Sequence, residues 1–129
     1  MELSAELFHQ IVEALKSDSS RERDKRSAPR VGLRAMVTIL PPLGVRAPAE
    51  RMRCRNLSAS GIGLMHNKEL RCGTEFVACL PATGMSKPVH IACTVVHCRK
   101  LSPDLFSIGG RIVRVLTSDE AAMIAAMAA

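Results

Sequence analysis

Val31-Gly32-Leu33-Arg34-Ala35-Met36-Val37-Thr38-Ile39-Leu40 places an apolar residue at every odd position from 31 to 39. Gly32, Arg34, Met36 and Thr38 stand between them. A period of two is the pattern of a strand with one buried face. Pro41-Pro42-Leu43-Gly44 ends it with turn residues. A second strand is predicted over Ala49 to Leu57, with Met52 and Cys54 on one face and Arg51, Arg53 and Arg55 on the other. Ser58-Ala59-Ser60-Gly61 reads as a tight turn, after which Ile62 and Leu64 begin a third strand. Phe76 to Leu80 is a fourth, closed by Pro81-Ala82-Thr83-Gly84. Val89, Ile91, Cys93 and Val95 alternate in a fifth. Leu105 to Leu116 is a sixth, after the turn at Leu101-Ser102-Pro103-Asp104. Its apolar parity shifts across Gly109-Gly110, which predicts a β-bulge there. Six short strands separated by turns imply a small antiparallel barrel or sandwich.

Helices are expected at both ends. Leu3, Leu7, Ile11 and Leu15 recur every four residues, with Phe8 and Val12 beside them. This is one apolar stripe on an amphipathic helix over residues 1–16. So short a helix is marginal alone in water, so the stripe should dock, either on its own domain or on a second chain as a homodimer or partner contact. Thr117-Ser118-Asp119-Glu120 has capping-box spacing, and the Ala- and Met-rich residues after it predict a helix over 117–129. Residues 17–30 contain no large apolar side chain. They read as a polar linker, basic from Lys25 through Arg30 and expected to be mobile without a ligand. The barrel proper is expected over 31–116. Ligand binding by the barrel is not expected to need the first helix.

The 129 residues suffice for one modest core. No apolar run approaches the roughly 18–20 residues of a membrane span. Glu2 and Glu6 replace the basic start of a secretory signal. Cys54, Cys72, Cys79, Cys93 and Cys98 are odd in number, which suggests free thiols in a reducing cytoplasm. The net charge of +6 favours anionic partners. The absence of Trp and Tyr argues against stacking of single-stranded nucleic acid. The barrel region has few carboxylates, with no pairing suited to acid–base work. P-loop, nucleophile-elbow and H-E-x-x-H motifs are all absent. An enzyme is therefore not expected. Cys93, His97 and Cys98 lie close in sequence, but without a C-x-x-C pair no metal site is expected. Simple alternation would put Cys93 and His97 on one face and Cys98 on the other.

Two clusters carry the chemistry. Arg26-Ser27-Ala28-Pro29-Arg30 is an R-x-x-x-R at the end of the linker. Asn56-Leu57-Ser58-Ala59-Ser60-Gly61 is an N-x-S-x-x-G between strands two and three. Taken singly, the first reads as a solvated basic run and the second as ordinary turn residues. Together, separated by one hairpin, they resemble the paired signature of the PilZ family, R-x-x-x-R followed by [D/N]-x-S-x-x-G. The resemblance extends over roughly residues 21–129. It implies a mostly-β fold: a six-stranded antiparallel β-barrel with a C-terminal helix, to which this chain adds an N-terminal one.

The resemblance also implies a bacterial cytoplasmic receptor for the second messenger cyclic di-GMP, with Arg26, Arg30, Asn56, Ser58 and Gly61 as ligand-binding residues. The chemistry fits. An Arg guanidinium can fork onto guanine O6 and N7 or onto a phosphate. Asn56 can present a donor and an acceptor to a guanine edge. Ser58 supplies a small hydroxyl, and Gly61 allows close approach to backbone. Lys25, Ser60 and His97 are further candidates. Lys25 precedes Arg26, where many relatives carry another Arg, and His97 stands where the family often has an aromatic residue, commonly Trp. The resemblance implies that the ligand orders the linker and so signals to an effector protein in motility, adhesion or exopolysaccharide control. No cofactor is expected besides the ligand. The alternatives are a PilZ-like adaptor that acts through protein contacts alone, and a basic nucleic-acid-binding barrel.

Overall fold

The structure, a computed structural model, describes residues 2–17 and 31–127, except for the side chains of Ser17 and Val31. The elements are α1 (Ala5–Ser17), β1 (Val31–Leu40), β2 (Glu50–Leu57), β3 (Gly61–His66), β4 (Glu75–Leu80), β5 (Val89–Ser102), β6 (Leu105–Val115) and α2 (Ser118–Met127). The six strands form one closed antiparallel barrel in the order β1-β2-β3-β6-β5-β4. Closure leaves no free sheet edge. The predicted linker, with Lys25, Arg26 and Arg30, lies outside the described residues apart from Ser17.

Alternation fills the barrel. Leu33, Ala35, Val37 and Ile39 of β1 point inward and meet Met52, Cys54, Leu64, Leu80, Ile91, Ile108 and Ile112 from the other strands. Among the described residues no polar or charged residue is buried. Gly84, at φ 78°, closes the connection between β4 and β5, a conformation that glycine adopts without strain.

α1 docks on its own barrel. Ser4 caps it, the Leu7 amide donating to Ser4 Oγ at 3.2 Å. Leu3, Ile11, Val12 and Leu15 are buried in the barrel core cluster, with Leu7 and Phe8 packed against its margin. α2 lies elsewhere, on the outer surface. Its Ile124 is buried with Leu40, Val77 and Leu116. The capping box forms in full, with Glu120 N donating to Thr117 Oγ1 at 3.2 Å and Thr117 N to Glu120 Oε1 at 3.0 Å. Arg114 adds a bidentate pair to the same carboxylate, at 2.8 and 2.6 Å.

The bulges differ from the sequence reading. β6 pairs with β3 without interruption from Phe106 to Arg111, so no bulge lies in β6 at Gly109-Gly110. The extra residue opposite that pair is Val96 in β5. Ile108, Gly110 and Ile112 therefore keep one inward parity, and Val113 is 37% exposed instead of facing the core. Further one-residue shifts occur in β1 between Gly32 and Ala35 and in β2 between Cys54 and Asn56.

Candidate functional site

The β2 and β5 bulges decide which side chains reach the outer surface. With strict alternation, Asn56 would face inward after Cys54 and Leu57 would face out. Arg55 is the extra residue, so Arg55 and Asn56 both lie outside and Leu57 is buried. Val96 acts likewise in β5. Val95 is buried, Val96 and His97 are exposed, and Cys98 returns to pack against the core. The expected pairing of faces is thus corrected: Cys93 and Cys98 lie on the inner side and His97 outside. Bulges commonly re-aim side chains at functional sites.

The outward residues align in a row across five strands. Gly32 pairs with Asn56, Asn56 with Gly63, Gly63 with Gly109, and Gly109 with His97. Three of the five have no side chain, so the row is a trough with a backbone floor. Asn56 leans over Gly63, where a Cβ would sit 2.5 Å from Asn56 Oδ1. The His97 ring covers Gly109, where a Cβ would collide with Nε2. A flat ring or base could rest on such a floor once these side chains swing aside. The neighbouring outward row is Met36, Arg53, Met65, Ser107 and Arg99.

At one end of the trough stands the turn between β2 and β3. Gly61 N donates to Ser58 Oγ at 3.0 Å, and Ser58 N donates to Gly61 O at 2.9 Å. A Cβ on Gly61 would approach the Gly110 carbonyl oxygen to 3.1 Å, so this position too is held close to backbone. Ser60 contributes its carbonyl, which accepts from Ile112 N at 2.8 Å, while its side chain stays outside the cleft.

Together these residues line a cleft of about 640 Å³ that includes Arg55, Asn56, Ser58, Gly61, Gly63, His97, Arg99 and Gly109. The volume falls in the range of small-ligand clefts, about 300–1,000 Å³. Asn56, Ser58, Gly61 and His97, singled out from sequence, are brought together. Lys25, Arg26 and Arg30 fall outside the described residues. The sequence reading missed Arg55 and Arg99 at the rim and the Gly63/Gly109 floor. Arg55 showed only as one of an alternating run, and Arg99 joins the site through a cross-strand register that no local spacing encodes. Among the described residues no carboxylate lines the cleft, and Arg55 and Arg99 take part in no ion pair with any of them. The arrangement suits an anionic ligand with a planar group: guanidinium forks on the rim, an amide and a hydroxyl within, and a smooth floor.

Among the described residues no group of three His, Cys, Asp or Glu side chains could hold a metal ion, and no helix is long and apolar enough to cross a membrane. Cys79 Sγ lies 3.7 Å from His90 Nε2 on the barrel exterior, and burial pushes that thiol upward, away from the thiolate.

Among solved structures, the chain is similar to the Bacillus subtilis inhibitor of motility, MotI/DgrA, at 13% identity and a TM-score of 0.49. The similarity covers 81% of this chain and 49% of that one, so the chain spans about half that protein's length. No curated protein matches it. The family model of the PilZ domain matches residues 24–128, which include the whole barrel and α2, and the chain belongs to the PilZ domain family.

Proposed function

We propose that this PilZ domain is a non-catalytic receptor for cyclic di-GMP that binds the nucleotide in the cleft at Asn56, Ser58 and Gly61. Arg26 and Arg30, just ahead of β1, close over it. One observation carries the reading: the outward row of Asn56, three glycines and His97, flanked by Arg55 and Arg99, with no carboxylate among the described residues that line the cleft. A guanine can lie on the glycine floor with its edge toward Asn56, and the arginines can meet O6 and N7 or a phosphate. His97 is suited to stack on the base in place of an indole. Ligand contact with Arg26 and Arg30 would order the segment before β1, and a cytoplasmic effector protein in motility, adhesion or exopolysaccharide control would read the new surface.

Calorimetry tests this with cyclic di-GMP beside cyclic di-AMP, GTP and a random oligonucleotide. Cyclic di-GMP should bind, and cyclic di-AMP far more weakly, because adenine puts a donor where guanine has O6. Equal binding of the two would remove the guanine readout. Binding of the oligonucleotide alone would make this a nucleic-acid barrel, and silence toward every ligand would make it an adaptor.

A further inference from the structure

The three carbonyls of the Ala59–Gly61 turn are each held by a different donor. Gly61 O accepts from Ser58 N at 2.9 Å and Ser60 O from Ile112 N at 2.8 Å, both within the barrel. Ala59 O accepts from Leu3 N at 2.7 Å, the shortest of the three, and Leu3 precedes α1. The Leu3 side chain is 5% exposed and belongs to the barrel core cluster. At its other side α1 is tied to the opposite turn, where Gln10 O accepts from Thr83 N at 3.0 Å. The helix thus spans one end of the barrel from the β2–β3 turn to the β4–β5 turn, with Ile11, Val12 and Leu15 buried beneath it.

The β2–β3 turn is the one that presents Ser58 and Gly61 to the cleft. We propose that the segment ahead of α1 is a positioning element of the cleft: the Leu3 amide and side chain fix this turn in the form that receives a ligand. The inference rests on the reading of the cleft as a nucleotide site. It runs against the sequence expectation that the helix is irrelevant to binding. The physical ground is that Ala59 and the two cleft residues share one tight turn. Freeing one of its three carbonyls lets the peptide planes rotate, and Ser58 Oγ loses its fixed relation to Gly61 N.

Two substitutions in the full chain separate the parts. Leu3→Ala keeps the amide donor and loses packing, whereas Leu3→Pro removes the donor as well. Ile124→Ala, in the α2 cluster away from the cleft, serves as a control for general destabilisation. Amide exchange at Ser58 and Gly61 is read without ligand, and cyclic di-GMP affinity by calorimetry well below the melting temperature. Leu3→Pro should speed exchange at both amides and weaken binding about fivefold or more relative to Leu3→Ala, the scale of one hydrogen bond. Ile124→Ala should leave both readings as in the parent protein. Unchanged exchange at Ser58 and Gly61 in Leu3→Pro would overturn the proposal, as would an effect that Ile124→Ala reproduces at equal stability. Should the parent protein bind no cyclic di-GMP, the nucleotide reading fails by itself, and the exchange rates alone decide whether Leu3 positions the turn.

Discussion

Gly63 of β3 and Gly109 of β6 are register partners, and each lies beneath a side chain from the next strand outward, Asn56 over Gly63 and His97 over Gly109. Neither glycine has a positive φ. Their lack of a side chain matters for space alone.

Substitution there should separate binding from stability. An alanine Cβ at Gly63 would meet the end of the Asn56 amide, and at Gly109 the end of the His97 ring. Both side chains can swing into solvent, so Gly63→Ala and Gly109→Ala should fold. They should weaken cyclic di-GMP about tenfold, or about 1.4 kcal/mol. Gly110→Ala should do the opposite. Its Cβ points inward, 2.8 Å from Phe76 Cζ and 3.2 Å from Ile62 Cγ2, and overpacking of this kind costs about 1–3 kcal/mol. Chemical denaturation beside calorimetry reads both, and a Gly63→Ala protein that binds normally would show that the floor is not used.

Arg26→Ala and Arg30→Ala should each weaken cyclic di-GMP by about 1–3 kcal/mol, the worth of a bidentate Arg–guanine pair, or about 5- to 150-fold. Both residues precede β1, so the melting temperature of the ligand-free protein should stay put. A collapse of that temperature would make them structural residues instead.

Acid should loosen α2. The paired hydrogen bonds from Arg114, with the Thr117 amide, hold the Glu120 carboxyl at about 2, below its ordinary 4.5. A carboxylate whose value is depressed by folding contributes stability that is present above its unfolded value and lost as pH falls through the folded one. The loss attributable to Glu120 therefore lies between pH 4.5 and about 2. Melting curves of the parent protein and of Glu120→Gln should converge as pH falls through that window. The pair is exposed, so added salt should shrink the difference.

The thiols should react in order of exposure. Burial pushes Cys54 and Cys93 up to about 12, while Cys72 is exposed. The thiolate is the nucleophile. At mildly alkaline pH, alkylation followed by mass spectrometry should label Cys72 in the native protein, and Cys54 and Cys93 only after unfolding. Native labelling of Cys54 would mean that the barrel opens readily.

The period-two run of Val31–Ile39, the four-residue spacing of Leu3, Leu7, Ile11 and Leu15, and the T-x-x-E cap were legible because each is a local periodicity that burial imposes on consecutive residues. They determined the first strand and both helices, and with the other alternating runs they implied a small antiparallel barrel or sandwich, between which the family resemblance pointed to the barrel. The pairing of R-x-x-x-R with N-x-S-x-x-G pointed to the family for the same reason, since both motifs are short and contiguous. Tertiary structure alone decided that Arg55, Arg99 and the Gly63/Gly109 floor join Asn56, Ser58, Gly61 and His97 in one cleft. A one-residue bulge at Arg55 and another at Val96 turned Asn56 and His97 outward and set them at the two sides of Gly63 and Gly109. A bulge shifts parity by a single residue, and only the partner strand's register reveals where. Whether α1 would lie on its own barrel or on another chain was likewise open, because an apolar stripe records that it must be covered and carries no record of what covers it. The burial of Ile11 and Leu15, and the bond from the Leu3 amide to Ala59, settle it as a contact within the chain.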